Sequence, residues 1–246
     1  MSTLSILIEY TARILPGLTV LAAVFFVFRK SAPVRILLYV AFFVLVRDAL
    51  TPLGLWSLGV EGFLWIRLHD DPLFVTLFGI ASLIIMGGII LLDKENRRHI
   101  RFFAHSPVVG ICFSLAGCVL VVLPLGIIYR FVDISFRGGA VASSLILPVF
   151  VFAIFGNFFE EGLFRGYVLG LLKEKYSPLM SGILSGLIFS ACHVFLAVTV
   201  TDIGYPILVF ALWEGVIAGV VGTRFGLIPA TLTHGGAIFL LASGLV

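Results

Sequence analysis

The chain consists of long apolar runs broken by short polar punctuation. A hydrocarbon core of about 30 Å takes about 20 apolar residues of helix to cross. By that measure the pattern predicts eight spans, over 10–28, 34–56, 73–92, 107–129, 141–164, 179–198, 206–222 and 228–245. Residues 1–246 therefore read as a single all-α integral membrane domain, a polytopic helix bundle of about eight transmembrane helices. Its N-terminal helices occupy 1–140 and a core occupies 141–246. In the first span Glu9 and Arg13 leave only Ile14 to Phe28 free of charge. Arg29 and Lys30 follow that run, whereas a signal peptide carries its basic residues ahead of it, so an uncleaved span is expected. The stretch from Arg47 to Asp71 mixes charges with Pro52, Trp56 and Trp65, and is expected to lie along the interface.

Composition turns this pattern into an exclusion. Residues of the AVILMFWYC set make up 61% of the chain and charged residues 12%, against about 25% charged in soluble domains. A soluble fold and a disordered chain are both excluded. The net charge of +3 comes from loops, not from a basic face, so no nucleic-acid partner is expected. Cys112, Cys118 and Cys192 sit in apolar runs with no CxxC, which indicates neither a disulfide framework nor a zinc ribbon.

Basic residues alternate between loops. Arg29, Lys30, Arg35, Lys94, Arg97, Arg98, Arg101, Lys173, Lys175 and Arg224 fall on one side. The other side holds Arg13, Arg47, Arg67, Arg130 and Arg137, offset by Glu9, Asp48, Glu61, Asp70, Asp71, Asp133 and Asp202. The positive-inside rule places the richer side in the cytoplasm and both termini outside.

Against this background a few ionisable residues fall inside spans, where a charge costs at least about 2.5–3.5 kcal/mol. They are Glu160, Glu161, Arg165, His193, Glu214 and His234. The first four spans hold almost nothing comparable at depth. Such a group marks either a functional site or an ion-pair network that locks helices together. Glu161 and Arg165 are four apart with the acid first, the favourable order for a same-face pair, and read as structural. Glu160 points about 100° away and has no built-in cation, which suits a general base. Asn157, one turn earlier, is placed to bond that carboxylate, a substrate or a neighbouring helix. Counting 1.5 Å per residue from the basic loops puts Glu160 and His234 roughly 10–20 Å deep, and His193 deeper. The three are expected to converge in one cavity open to the cytoplasm. A glutamate beside a neutral imidazole can activate water, and a second histidine can stabilise an oxyanion. Glutamate and two histidines are also sound zinc ligands, but no HExxH spacing is present. The sequence also lacks a GxSxG elbow, a P-loop and a dinucleotide fingerprint.

These residues carry a resemblance. Glu160-Glu161-x-x-x-Arg165, then Phe189-x-x-x-His193, then His234 after Gly226-Leu227-Ile228-Pro229, resemble the three motifs of the CPBP family, which contains the CAAX prenyl endopeptidases and the Abi proteins. The resemblance covers about 150–246. It implies a glutamate-type intramembrane endopeptidase that requires no metal or other cofactor. Glu160 and His193 would activate the water and His234 would face the oxyanion. The substrate would be a membrane-bound peptide or protein cut near the cytoplasmic face, and the enzyme would sit in the bilayer of a bacterial cytoplasmic membrane. One position departs from the pattern. The family's third motif is usually His-x-x-x-Asn or Asp, and Ile238 stands at the fourth position after His234. Losing one oxyanion donor costs on the order of 100–1,000-fold in rate. Asn157, Glu214 or backbone opened by Gly235-Gly236 would have to substitute. Otherwise the chain is a weakly active or inactive member serving as a scaffold, regulator or immunity-type protein. A transporter with a Glu/His proton relay is the remaining reading, and the internal symmetry it predicts is missing from the sequence.

Overall fold

A computed structural model describes residues 3–59 and 63–246; Glu61, counted above among the outer acids, lies outside the described residues. The fold is an all-α bundle. Its helices are α1 (Thr3–Phe28), α2 (Ala32–Leu50), α3 (Pro72–Leu92), α4 (Lys94–Arg97), α5 (Pro107–Tyr129), α6 (Ser143–Glu161), α7 (Leu169–Leu172), α8 (Pro178–Ala191), α9 (Tyr205–Phe225) and α10 (Leu227–Ala242). Among the described residues seven helical stretches are long and apolar enough to cross a membrane. The eighth expected span is the shorter α10, whose 16 residues extend about 24 Å at 1.5 Å each. The protein is an integral multi-pass membrane protein.

The local sequence explains the breaks. Asp71 caps α3 by accepting from the amides of Leu73 and Phe74 at 2.9 and 3.2 Å, with Pro72 opening the helix. α9 and α10 are separated by Gly226 alone, at φ +102°. A Cβ there would come within 2.7 Å of the Arg101 carbonyl oxygen. That closeness lets the carbonyls of Arg101 and Phe102 accept from the first amides of α10, at 2.7 and 3.0 Å, so its orphan donors are satisfied.

Inside a bilayer, helices associate by close packing of small residues rather than by expulsion of water. Gly182 and Gly186 of α8 meet Gly215 and Gly219 of α9 backbone to backbone: a Cβ on Gly219 would lie 2.3 Å from the Gly182 carbonyl oxygen. This contact fixes the spacing between α8, which His193 follows by two residues, and α9, which carries Glu214. Gly235 packs α10 on the Ala153 carbonyl of α6 in the same way, at 2.6 Å from a Cβ.

One end of the bundle carries the basic loops. The other is covered by a short antiparallel ribbon, β1 (Trp56–Ser57) and β2 (Arg67–Leu68), with Trp56 opposite Leu68. Arg67 ties it down by donating to the Leu241 carbonyl at 2.9 Å, and the Tyr129 hydroxyl donates to the Leu64 carbonyl at 2.9 Å. The stretch expected along the interface is this ribbon, with one correction. Arg47 and Asp48 belong to α2 and are buried in the bundle.

Candidate active site

α6 does not stop at Glu161. It continues through a wider π-helical turn, Gly162–Val168, into α7, and such turns inside α-helices are frequent at functional sites. Gly162 seats the turn against the Met86 side chain, which a Cβ would overlap at 2.4 Å. Glu161 is wholly buried, and its Oε1 accepts from Arg165 Nη1 at 2.7 Å, the expected pair. The same oxygen lies 2.8 Å from Nδ1 of His234. Arg165 also donates from Nη2 to the Gly215 carbonyl at 2.6 Å and lies over the Phe189 ring, 4.6 Å from its centroid. This one guanidinium therefore joins α6, α8 and α9.

His234 sits between two carboxyl groups. Opposite Glu161, its Nε2 lies 3.3 Å from Glu214 Oε2. Glu214, outside the recognised motif, is thus part of the cluster. His193, in the turn just after α8, is held differently. The Phe189 carbonyl only accepts, so at 2.8 Å His193 Nδ1 donates to it. Nε2 then accepts from Arg47 Nη1 at 3.1 Å, while Arg47 Nη2 donates to the Cys192 carbonyl at 2.7 Å. Asp48 balances Arg47 through a 2.8 Å contact. Arg47 went unrecognised as a site residue because its neighbours Pro52 and Trp56 read as interfacial. The signal was present, since an arginine inside the apolar run 34–56 met the same test applied to the later spans.

Glu160 has no hydrogen-bond partner among the described residues. Its carboxyl group faces a cavity of about 430 Å³, whose wall also carries Asn157, His193, Glu214 and His234. The three residues expected to converge therefore share one space. Asn157 reaches neither Glu160 nor the histidines: its amide donates to the Ala153 carbonyl at 2.6 Å. Ile238 lines the cavity beside His234. The Gly235-Gly236 backbone is no substitute donor, because both glycines serve packing, against Ala153 and Cys118, within unbroken α10.

The lining of the cavity gives no support to the expected cytoplasmic opening. Its wall runs through Tyr10 and Ile14, Leu50 and Phe78 to Trp56, Ile66 and Leu68 of the ribbon. No residue of the basic loops lines it.

A multi-span bundle with a buried Glu/His/Arg cluster beside an apolar cavity defines a class, the polytopic membrane proteins with ionisable groups inside the bundle. The comparison with known families is more particular: residues 142–240 match the family model described as type II CAAX prenyl endopeptidase Rce1-like. Over that segment the chain is similar to the CAAX prenyl endopeptidases of the CPBP family, and the match supports an intramembrane protease kind of function. It spans the whole constellation from Asn157 to His234, but not Arg47. Neither a curated protein nor a solved structure matches the chain.

Proposed function

We propose that the protein is a glutamic intramembrane endopeptidase of a bacterial cytoplasmic membrane, and that it works without a metal. The observation that carries this reading is the unpartnered Glu160 carboxyl group facing a shared cavity with His193, Glu214 and His234. In the proposed reaction Glu160 takes a proton from a water molecule whose oxygen adds to the scissile carbonyl carbon. The C–N bond then breaks as that proton passes to the leaving nitrogen. His193 has both ring nitrogens engaged, so its part is to hold Arg47 at the cavity wall beside the attacked group. Arg47 supplies positive charge where the oxyanion forms, the work that Ile238 cannot do. His234 Nε2 makes only a 3.3 Å contact to Glu214, one that a substrate oxygen can compete with.

The cavity wall is mostly Leu, Ile, Phe and Val, which fits an apolar or lipidated segment of a membrane-bound peptide or protein. Entry is from the ribbon end, opposite the basic loops. The positive-inside rule makes that the non-cytoplasmic side.

Ile238 favours a second reading, in which a family member keeps the cavity and binds the same kind of segment without cutting it. Cleavage of candidate membrane peptides by purified protein separates the two. Glu160→Ala is expected to lower the rate about 100–10,000-fold, the range for loss of a general base, with folding retained. Glu161→Ala should instead weaken the fold, and a chelator should change nothing. Cleavage by Glu160→Ala at the wild-type rate would end the glutamate-base reading, and activity restored by added zinc after chelation would replace it with a metal one.

A further inference from the structure

A second cavity, of about 260 Å³, lies at the basic end; Arg165 but not Glu161 lines it, and it is outside the catalytic proposal. Arg98, Arg101 and Lys173 stand around it, with Arg165, His99 and Thr223 in its wall. Glu174 is the one acid lining it, 3.8 Å from His99 Nδ1. Nε2 of His99, a lining residue, has no hydrogen-bond partner among the described residues. Burying an unpartnered polar nitrogen costs about 1–3 kcal/mol. Arg165 is paired with Glu161, which leaves Arg98, Arg101 and Lys173 as three cations repelling one another around the single acid Glu174. Gly170 makes the space by letting its helix press onto His99, where a Cβ would lie 2.3 Å from the histidine Cβ. Burial, and then the nearby Arg101, hold the Lys173 ammonium below the ordinary lysine range, as expected where positive charge lacks a counter-ion.

We infer that this pocket binds a phosphate-bearing anion, with Arg98, Arg101 and Lys173 contacting the phosphate oxygens above a wall that includes His99 and Thr223. The chemistry matches on three counts. Arginine forks suit phosphate oxygens, basic pockets between membrane helices take anionic headgroups, and Lys173 directly follows the span ending at Leu172, at headgroup level. A phospholipid headgroup and a free phosphate satisfy the same contacts.

The test uses the full-length protein in neutral detergent. Titration with dioleoylphosphatidylglycerol or dioleoylphosphatidylcholine is read by native mass spectrometry, and inorganic phosphate is added as competitor. Phosphatidylglycerol should be retained at least tenfold better than phosphatidylcholine. Arg98→Gln with Lys173→Gln should weaken that retention by about 30-fold, from about 1 kcal/mol per basic residue. Lys30→Gln with Arg224→Gln, on the same end but outside the pocket, should leave it unchanged. Displacement by millimolar phosphate would identify free phosphate as a sufficient ligand. Retention that phosphate leaves intact would identify the lipid headgroup. The inference fails if neither probe binds, if Arg98→Gln/Lys173→Gln binds as wild type, or if the control pair loses as much.

Discussion

Asp93, at the basic end, and Glu161, in the middle of the bundle, are both buried carboxylates that accept from an arginine, yet their surroundings are completed differently. Asp93 accepts from Arg35 through both oxygens at 2.9 Å, from the Tyr39 hydroxyl at 3.0 Å and from the Asn96 side chain at 2.8 Å. Arg35 has Glu95 at 2.8 Å and the Arg29 carbonyl at 2.6 Å besides. Glu161 receives Arg165 and His234 on one oxygen, and its Oε2 has no partner among the described residues. Glu214 Oε1, Asp48 Oδ2 and Arg165 Nε are left in the same condition, and Glu160 faces open space. Buried charge alone therefore does not mark a site. A carboxylate with both oxygens bonded joins helices, even beside the unpartnered Asn96 Oδ1, whereas a carboxyl group with an unused oxygen on a cavity wall keeps capacity for a ligand or a reacting atom.

The largest effect expected from breaking this contrast is on the fold, at Arg165. Removing one partner of a buried pair costs about 3–5 kcal/mol because the other charge is stranded. Arg165→Met should therefore lower the thermal midpoint in detergent steeply, while Arg165→Met with Glu161→Leu should recover part of the loss. If the single variant melts like wild type, Arg165 does not hold the three helices together, and its role lies wholly with its ligands.

A smaller effect, on rate, is expected at Arg47. Lysine keeps the charge but not the forked geometry that reaches both His193 and the Cys192 carbonyl. Arg47→Lys should reduce kcat by about 10–100-fold, short of the 100–1,000-fold for complete loss of an oxyanion donor, with KM little changed. An unaltered kcat would reduce Arg47 to a tie between α2 and α8.

Arg47 also shows how far the sequence could be read. The bundle, the Glu161–Arg165 pair and the convergence of Glu160, His193 and His234 were legible because each depends on spacing along one helix or on depth counted from a charged loop. The contact of Arg47 with His193 joins residues 146 positions apart and depends on how α2 is rotated toward α8. No pattern within either helix contains that angle. The cavity's outline was hidden for a related reason. Part of its wall is the ribbon, with two residues in each strand, and part is α1 and α3, whose cavity-facing sides are as apolar as their lipid-facing ones.

The smallest effect on activity is expected at Asp93, and it tests the contrast from the other side. Burial opposes ionisation of this carboxyl group, but the hydrogen bonds from Arg35, Asn96 and Tyr39 outweigh it and hold the group at about 2, below its ordinary 3.8. A carboxylate so depressed contributes stability that is fully present above its ordinary value and is lost as pH falls through about 2. Asp93→Asn removes the charge but keeps the shape, and should cost roughly 1–2 kcal/mol at neutral pH, the scale of a hydrogen bond to a charged group. The gap in thermal midpoint between wild type and Asp93→Asn should hold steady down to about pH 4 and close toward pH 2 as the wild-type group protonates. Peptide cleavage at neutral pH and a permissive temperature should be unchanged, because both oxygens of Asp93 are bonded and it does not line the catalytic cavity. If a folded Asp93→Asn lost cleavage as Glu160→Ala does, the two clusters would be energetically one, and the distinction between completed and open carboxylates would not separate structure from chemistry in this bundle.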